Sequence, residues 1–109
     1  MNEHLKDEKL KEAIRVLASK FVEQESNGSS LITVTRIELM DHAKRAFVMF
    51  TTLPDGKEAE ALAFLERKRS EFRTYVREKS RIGRIPFFDF KIDLGEKNRQ
   101  NVDKLSNLQ

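Results

Sequence analysis

The sequence predicts a two-layer α+β sandwich, with helices over one face of a three-stranded sheet. Three observations lead there. Apolar residues recur at helical spacing in two separate stretches. Three short runs are rich in β-branched and aromatic residues. Their order, helix–strand–strand–helix–strand, needs one crossover connection, which lets both helices cover the same face. At 109 residues the chain has room for one domain with its own core, and its 39% apolar and 36% charged residues describe a highly charged globular chain.

Leu10, Ala13, Ile14, Leu17, Ala18 and Phe21 fall at three- and four-residue steps, an amphipathic helix. It is expected to stop near Ser26-Asn27-Gly28, with Gly28 as a left-handed cap. Leu31 to Leu39 (LITVTRIEL) is β-branched and imperfectly alternating, the first strand. A polar connection through Asp41, Lys44 and Arg45 leads to Ala46–Thr51 (AFVMFT), which is apolar on both faces and therefore central in its sheet. The two strands form a hairpin. Pro54-Asp55-Gly56 is a turn, with Asp55 the expected N-cap of the next helix.

That helix runs over about 57–80, with Leu62, Leu65, Phe72 and Val76 on one stripe. The same stripe includes Arg69, and 66–71 are all polar, so a break is expected near Lys68-Arg69-Ser70. A straight helix with a snorkelling Arg69 is the alternative. Gly83 and Pro86 end the segment, and Pro86 biases Ile85 toward extended geometry. Phe88, Phe90 and Ile92 then alternate with Phe87, Asp89 and Lys91 as a third strand. The folded unit is expected over 5–94. The polar tail 95–109 is left as a frayed, disordered segment or a marginal helix on Val102, Leu105 and Leu108.

Charge is unevenly placed. Residues 1–66 carry 9 basic and 12 acidic side chains, and 85–109 carry four of each. Residues 67–84 carry 8 basic side chains, six of them arginine, against Glu71 and Glu78. The whole positive excess therefore sits in eighteen residues. Such a cluster fits a solvated helix face or an electrostatic footprint for an anionic polymer, and arginine's planar donor fork suits phosphate. Lys44 and Arg45 either extend it or occupy a solvated turn.

Several chemistries lack their residues. With no cysteine there is no disulfide framework, thiolate zinc site, iron–sulfur cluster or cysteine nucleophile. His4 and His42 stand far apart, and His42 reads as an exposed loop residue. Asp41 beside it has no partner carboxylate at a recognisable spacing. Gly28, Gly56, Gly83 and Gly95 are too scattered for a phosphate loop. No enzymatic activity and no cofactor or metal are expected. No apolar run approaches the ~20 residues of a membrane span, and the N-terminal MNEHLKDEKLK is too polar for a signal peptide. Phe87, Phe88 and Phe90 could stack bases, but alternating strand positions favour core packing.

Several residues in order resemble the ribosome-binding factor A family, over about residues 10–93. In the first hairpin, Leu31–Leu39 is similar to the family's strand ending in a valine–glutamate–valine type triplet, with Glu38 as the glutamate. Ala46 and Val48 match the opening of its second strand. Arg73 takes the place of the arginine within its broken helix, and Pro86, Phe90 and Asp93 match its proline-x-x-x-phenylalanine-x-x-aspartate signature. Two departures stand out. Met40-Asp41-His42-Ala43 replaces Ser-x-Asp-Leu between the strands, and Lys68-Arg69-Ser70 replaces the Ala-x-Gly of the family's kink.

The resemblance implies a type II KH-like RNA-binding domain over 5–94. It implies a cytoplasmic, monomeric assembly factor that binds 16S rRNA on free or immature 30S subunits and assists late maturation, including processing of the 16S 5′ end. The expected RNA-binding residues are Lys68, Arg69, Arg73, Arg77, Lys79, Arg81 and Arg84. The alternative is a non-enzymatic protein-interaction module whose basic face meets an acidic partner.

Overall fold

The computed structural model describes residues 3–26 and 31–107, with side chains for 5–26 and 31–103. The first apolar stripe becomes α1 (Glu3–Glu25), whose Ile14, Ala18, Phe21 and Val22 are buried on one side. Its expected glycine cap, Gly28, lies outside the described residues.

β1 (Leu31–Met40) and β2 (Arg45–Leu53) pair antiparallel, from Leu31 opposite Leu53 to Met40 opposite Arg45. The imperfect alternation of β1 has a simple origin: a bulge between Val34 and Arg36. The extra residue lets Val34 and Ile37, three apart, both face the core. The four-residue connection, 41–44, carries Asp41, His42 and Ala43 at φ 54°, 53° and 64°. Three successive left-handed residues, none of them glycine, make this a strained turn. His42 lies exposed in it.

β2 is the central strand, as its two apolar faces predict. Ala46, Val48 and Phe50 face the helices, while Met49 on the opposite face is also buried. β3 (Phe87–Ile92) runs parallel to β2, with Ala46 beside Phe88 and Phe50 beside Ile92. A parallel neighbour requires a crossover. Here it consists of α2 (Glu58–Arg67) and α3 (Arg69–Lys79).

The predicted break falls at Lys68, whose φ of −101° and ψ of 6° interrupt the helix. Its N–H donates to Leu65 O at 2.9 Å, a tightened i→i−3 bond, and its carbonyl accepts from Phe72 N–H at 2.8 Å. Ala61 and Leu65 of α2 and Phe72 and Val76 of α3 thus share one buried face. Phe72 sits at the core's centre, its ring 5.2 Å from Phe21, 4.7 Å from Phe88 and 5.9 Å from Phe90.

Two sequence expectations are corrected and one alternative is resolved. Asp55 does not cap α2: Lys57 holds the N-cap position without a side-chain bond, and the Glu58 carboxylate accepts instead from Gly56 N–H at 2.9 Å. Phe87 does not pack in the core; it is 64% exposed, while Phe88 and Phe90 are buried. Alternation accounts for this, since Phe87 shares its face with Asp89 and Lys91. Of the two outcomes open for the tail, the structure has the helix, α4 (Leu94–Asn107). Asp93 caps it, accepting Glu96 N–H on Oδ1 at 3.1 Å, and the Lys97 ammonium meets Glu58 Oε1 at 2.7 Å. No helix among the described residues is long and apolar enough to cross a membrane.

Candidate nucleic-acid interface

The break decides where the basic cluster points. From Arg69 onward, residues four apart share a face of α3, so Arg69, Arg73 and Arg77 form a row with Ser70 and Thr74 beside them. This row and the start of β3 form the walls of a groove lined also by Arg45, Phe87, Phe88 and Asp89. Four guanidiniums against one carboxylate leave the groove net positive by three at neutral pH. The other side of α3 is different: Glu71 and Glu78 line a separate hollow with Glu25 and Tyr75. Segregation of charge around α3 keeps the nearby acids away from the arginine row.

Within the groove the arginines do different things. Arg69 Nη1 donates to Asp89 Oδ1 at 2.6 Å and Arg45 Nη2 to Asp89 Oδ2 at 2.9 Å, so one carboxylate spreads both guanidiniums. Burial opposes the charge on Asp89, but hydrogen bonds from Arg45 and Arg69, with their positive charges, outweigh it and lower its pKa. Arg73 reaches back across the chain end of α3. Its Nε donates to Pro86 O at 3.1 Å and its Nη2 to Ile85 O at 2.9 Å, with the guanidinium carbon 4.4 Å from the Phe87 ring centre. Arg73 is thus a clamp between α3 and the entry to β3, with one terminal nitrogen left over.

The remaining expected site residues divide. Lys68 is tied to carboxylates, Glu71 at 3.5 Å and Glu25 at 3.7 Å. The side chains of Arg77, Lys79, Arg81 and Arg84 make no hydrogen bond or ion pair among the described residues, and all four are exposed. Arg77 lines the groove; Lys79, two residues on and some 200° around the helix, does not. Arg81 and Arg84 lie in the connection between α3 and β3. The structure therefore brings together Arg69, Arg73 and Arg77 in the groove, leaves Lys68, Lys79, Arg81 and Arg84 outside its lining, and adds Arg45. Strand pairing explains the addition, since Arg45 opens β2 directly beside Phe87. The signal in the sequence was the adjacency of Lys44-Arg45 to a central strand. Among the described residues no cluster of three or more His, Cys, Asp or Glu could hold a metal ion.

A second set of contacts stands at the far end of β3. Asp93, 4% exposed, accepts Thr35 Oγ1 at 2.5 Å on Oδ2, with Arg36 Nε 3.5 Å from the same oxygen. Thr35 is the bulge residue of β1, so the bulge aims its hydroxyl at Asp93. Burial works against the Asp93 charge. The Thr35 hydroxyl, the Glu96 N–H and the charges of Arg36 and Arg99 prevail, holding its pKa below the ordinary range. The signature aspartate is thus a joint between β1, β3 and α4.

Comparison with known proteins agrees with this architecture. Residues 3–106 match the sequence profile of ribosome-binding factor A. Ribosome-binding factor A of Coprothermobacter proteolyticus is 31% identical over 91 residues, 82% of this chain and 66% of that protein. The Fervidobacterium nodosum protein of the same name is 36% identical over 67 residues, 61% of this chain and 54% of the other. The chain thus spans less than two thirds of the length of these curated relatives. The crystal structure of ribosome-binding factor A from Thermus thermophilus superposes with a TM-score of 0.69 at 18% identity, over 77% of this chain and 91% of the other. A Thermotoga maritima protein solved by solution NMR gives 0.67 at 26%, over 80% and 86%. With the profile covering nearly all of its residues and the fold shared with these structures, this chain belongs to the ribosome-binding factor A family.

Proposed function

We propose that this protein is an RNA-binding assembly factor of the small ribosomal subunit. It binds 16S rRNA on free or immature 30S particles and assists their late maturation, including processing of the 16S 5′ end, as a cytoplasmic monomer without catalysis. Family membership supports the ribosomal partner. The observation that carries RNA as the ligand is the arginine groove between α3 and β3, where four guanidiniums face a single carboxylate.

In this reading Arg77, Arg81 and Arg84, with no internal partner, neutralise phosphates. Arg45 and Arg69 present their outer nitrogens while Asp89 fixes their spacing. Arg73 shapes the groove rather than gripping the polymer. Contacts of this kind position an RNA without reading its sequence, so selectivity comes from RNA shape. With about four phosphates neutralised, log affinity falls with log salt at a slope near −3.

The deciding experiment is sedimentation of cell lysate: the protein is expected to run with small subunits and not with complete ribosomes. Arg77→Glu is expected to abolish that association and to weaken RNA binding in parallel. Unchanged co-sedimentation of the charge-reversed variant, or salt-independent RNA affinity, overturns the reading.

A further inference from the structure

Of the eight phenylalanines in the chain, seven are buried or half-buried and one, Phe87, stands exposed. An aromatic ring left in water forgoes the stabilisation that burial supplies. This ring is also held in place. One face lies under the Arg73 guanidinium, 4.4 Å from the ring centre, and that guanidinium is pinned by the carbonyls of Ile85 and Pro86. The backbone beneath is pinned too, by Phe87 N–H donating to Lys44 O at 2.9 Å. With one face covered and 64% of the residue exposed, the other face of the ring looks onto solvent. The result is a flat, pre-set apolar platform, which loses little freedom when something lies on it.

Its surroundings select what lies there. Arg45 is the strand neighbour of Phe87, and Arg69, Arg73 and Arg77 line the same groove. The one acid among them, Asp89, is already engaged by Arg45 and Arg69. A ligand that puts a planar π face beside an anionic link satisfies both features at once, and a nucleotide has both. A base within a duplex is stacked on both sides and has no free face to give.

Resting on the RNA-binding reading above, we infer that Phe87, backed by Arg73, is a stacking platform for one unpaired base, with Arg77 and its neighbours holding the flanking phosphates. The groove therefore distinguishes single-stranded or bulged RNA from a perfect duplex. Phosphate contact alone does not.

The test compares the wild type with Phe87→Ala, Phe87→Leu and Phe87→Trp on two probes, a single-stranded oligonucleotide and a fully paired RNA with the same number of phosphates. Loss of the ring is expected to weaken single-strand binding about 5- to 100-fold, leave duplex binding unchanged and leave the salt slope unchanged. Phe87→Leu keeps apolar bulk and is expected to fail with Phe87→Ala. Phe87→Trp is expected to restore affinity, with its indole fluorescence quenched as RNA is added. Thermal melting checks that each variant folds, which an exposed position permits.

Equal single-strand affinity for wild type and Phe87→Leu overturns the platform while RNA binding stands. So does an equal loss on both probes. A Phe87→Ala variant that keeps RNA affinity but no longer sediments with subunits assigns the ring to a protein contact and also overturns it. Should the wild type bind neither probe, the RNA reading itself falls.

Discussion

Arg69 Nη1 lies 2.6 Å from Asp89 Oδ1, joining the first turn of α3 to the middle of β3 across 20 residues of chain. In a straight helix Arg69 would lie on the apolar stripe between Leu65 and Phe72. The interruption at Lys68 and the Asp89 carboxylate together give it a polar destination. The same carboxylate also takes Arg45, so the joint between helix break and sheet is at once a structural contact and the groove's internal counter-charge.

Replacing that counter-charge separates the two roles. Asp89→Asn is expected to lower stability by about 1 kcal/mol, in keeping with partly exposed ion pairs. RNA affinity at low salt should rise several-fold, and the salt slope should steepen by about 0.7 for each freed arginine that finds a phosphate. Paired measurements of urea unfolding and RNA titration check both. A weaker-binding variant means that Asp89 chiefly positions the arginines.

Arg73 is expected to behave as a structural residue. Its planar fork bonds two successive carbonyls, which a single ammonium cannot reproduce. Arg73→Lys, though it keeps the charge, should lose ~1.5–3 kcal/mol of stability. Hydrogen exchange should quicken at the amides leading into β3. If Arg73→Lys unfolds like the wild type while RNA binding drops, the clamp is secondary and Arg73 acts directly on the ligand.

Asp93 links stability to pH. Its folded pKa is depressed below the 3.8 of a free aspartate, so its contribution is fully present above that value and is lost as pH falls through the lower folded one. Asp93→Ala removes a helix cap and the acceptor of the Thr35 hydroxyl, at an expected cost of ~2–4 kcal/mol at neutral pH. The variant's stability should also change less between neutral and strongly acid pH than the wild type's. Denaturant melts across that range provide the check, and parallel curves for the two proteins refute the assignment.

Periodicity alone determined the element order as far as β3, the central place of β2 and the helix break, because each depends on which residues must leave water. Arg69 in an apolar stripe announced the break. The imperfect alternation of β1 contained the bulge without identifying it, since a one-residue insertion is defined only against a partner strand. What tertiary structure decided was the employment of each charge. Eight basic residues in 67–84 look equivalent in one dimension. In three, Lys68 meets Glu25, Arg69 meets Asp89, Arg73 meets two carbonyls, and the side chains of Arg67, Arg77, Lys79, Arg81 and Arg84 meet no hydrogen-bonding or ionic partner among the described residues. Those partners lie up to 43 residues away, and ionic and hydrogen-bonding contacts act over a few ångströms of space whatever the separation along the chain. The exposure of Phe87 beside two buried phenylalanines has the same cause: the alternation of a strand assigns the two faces, but only packing reveals that one of them is left open to solvent.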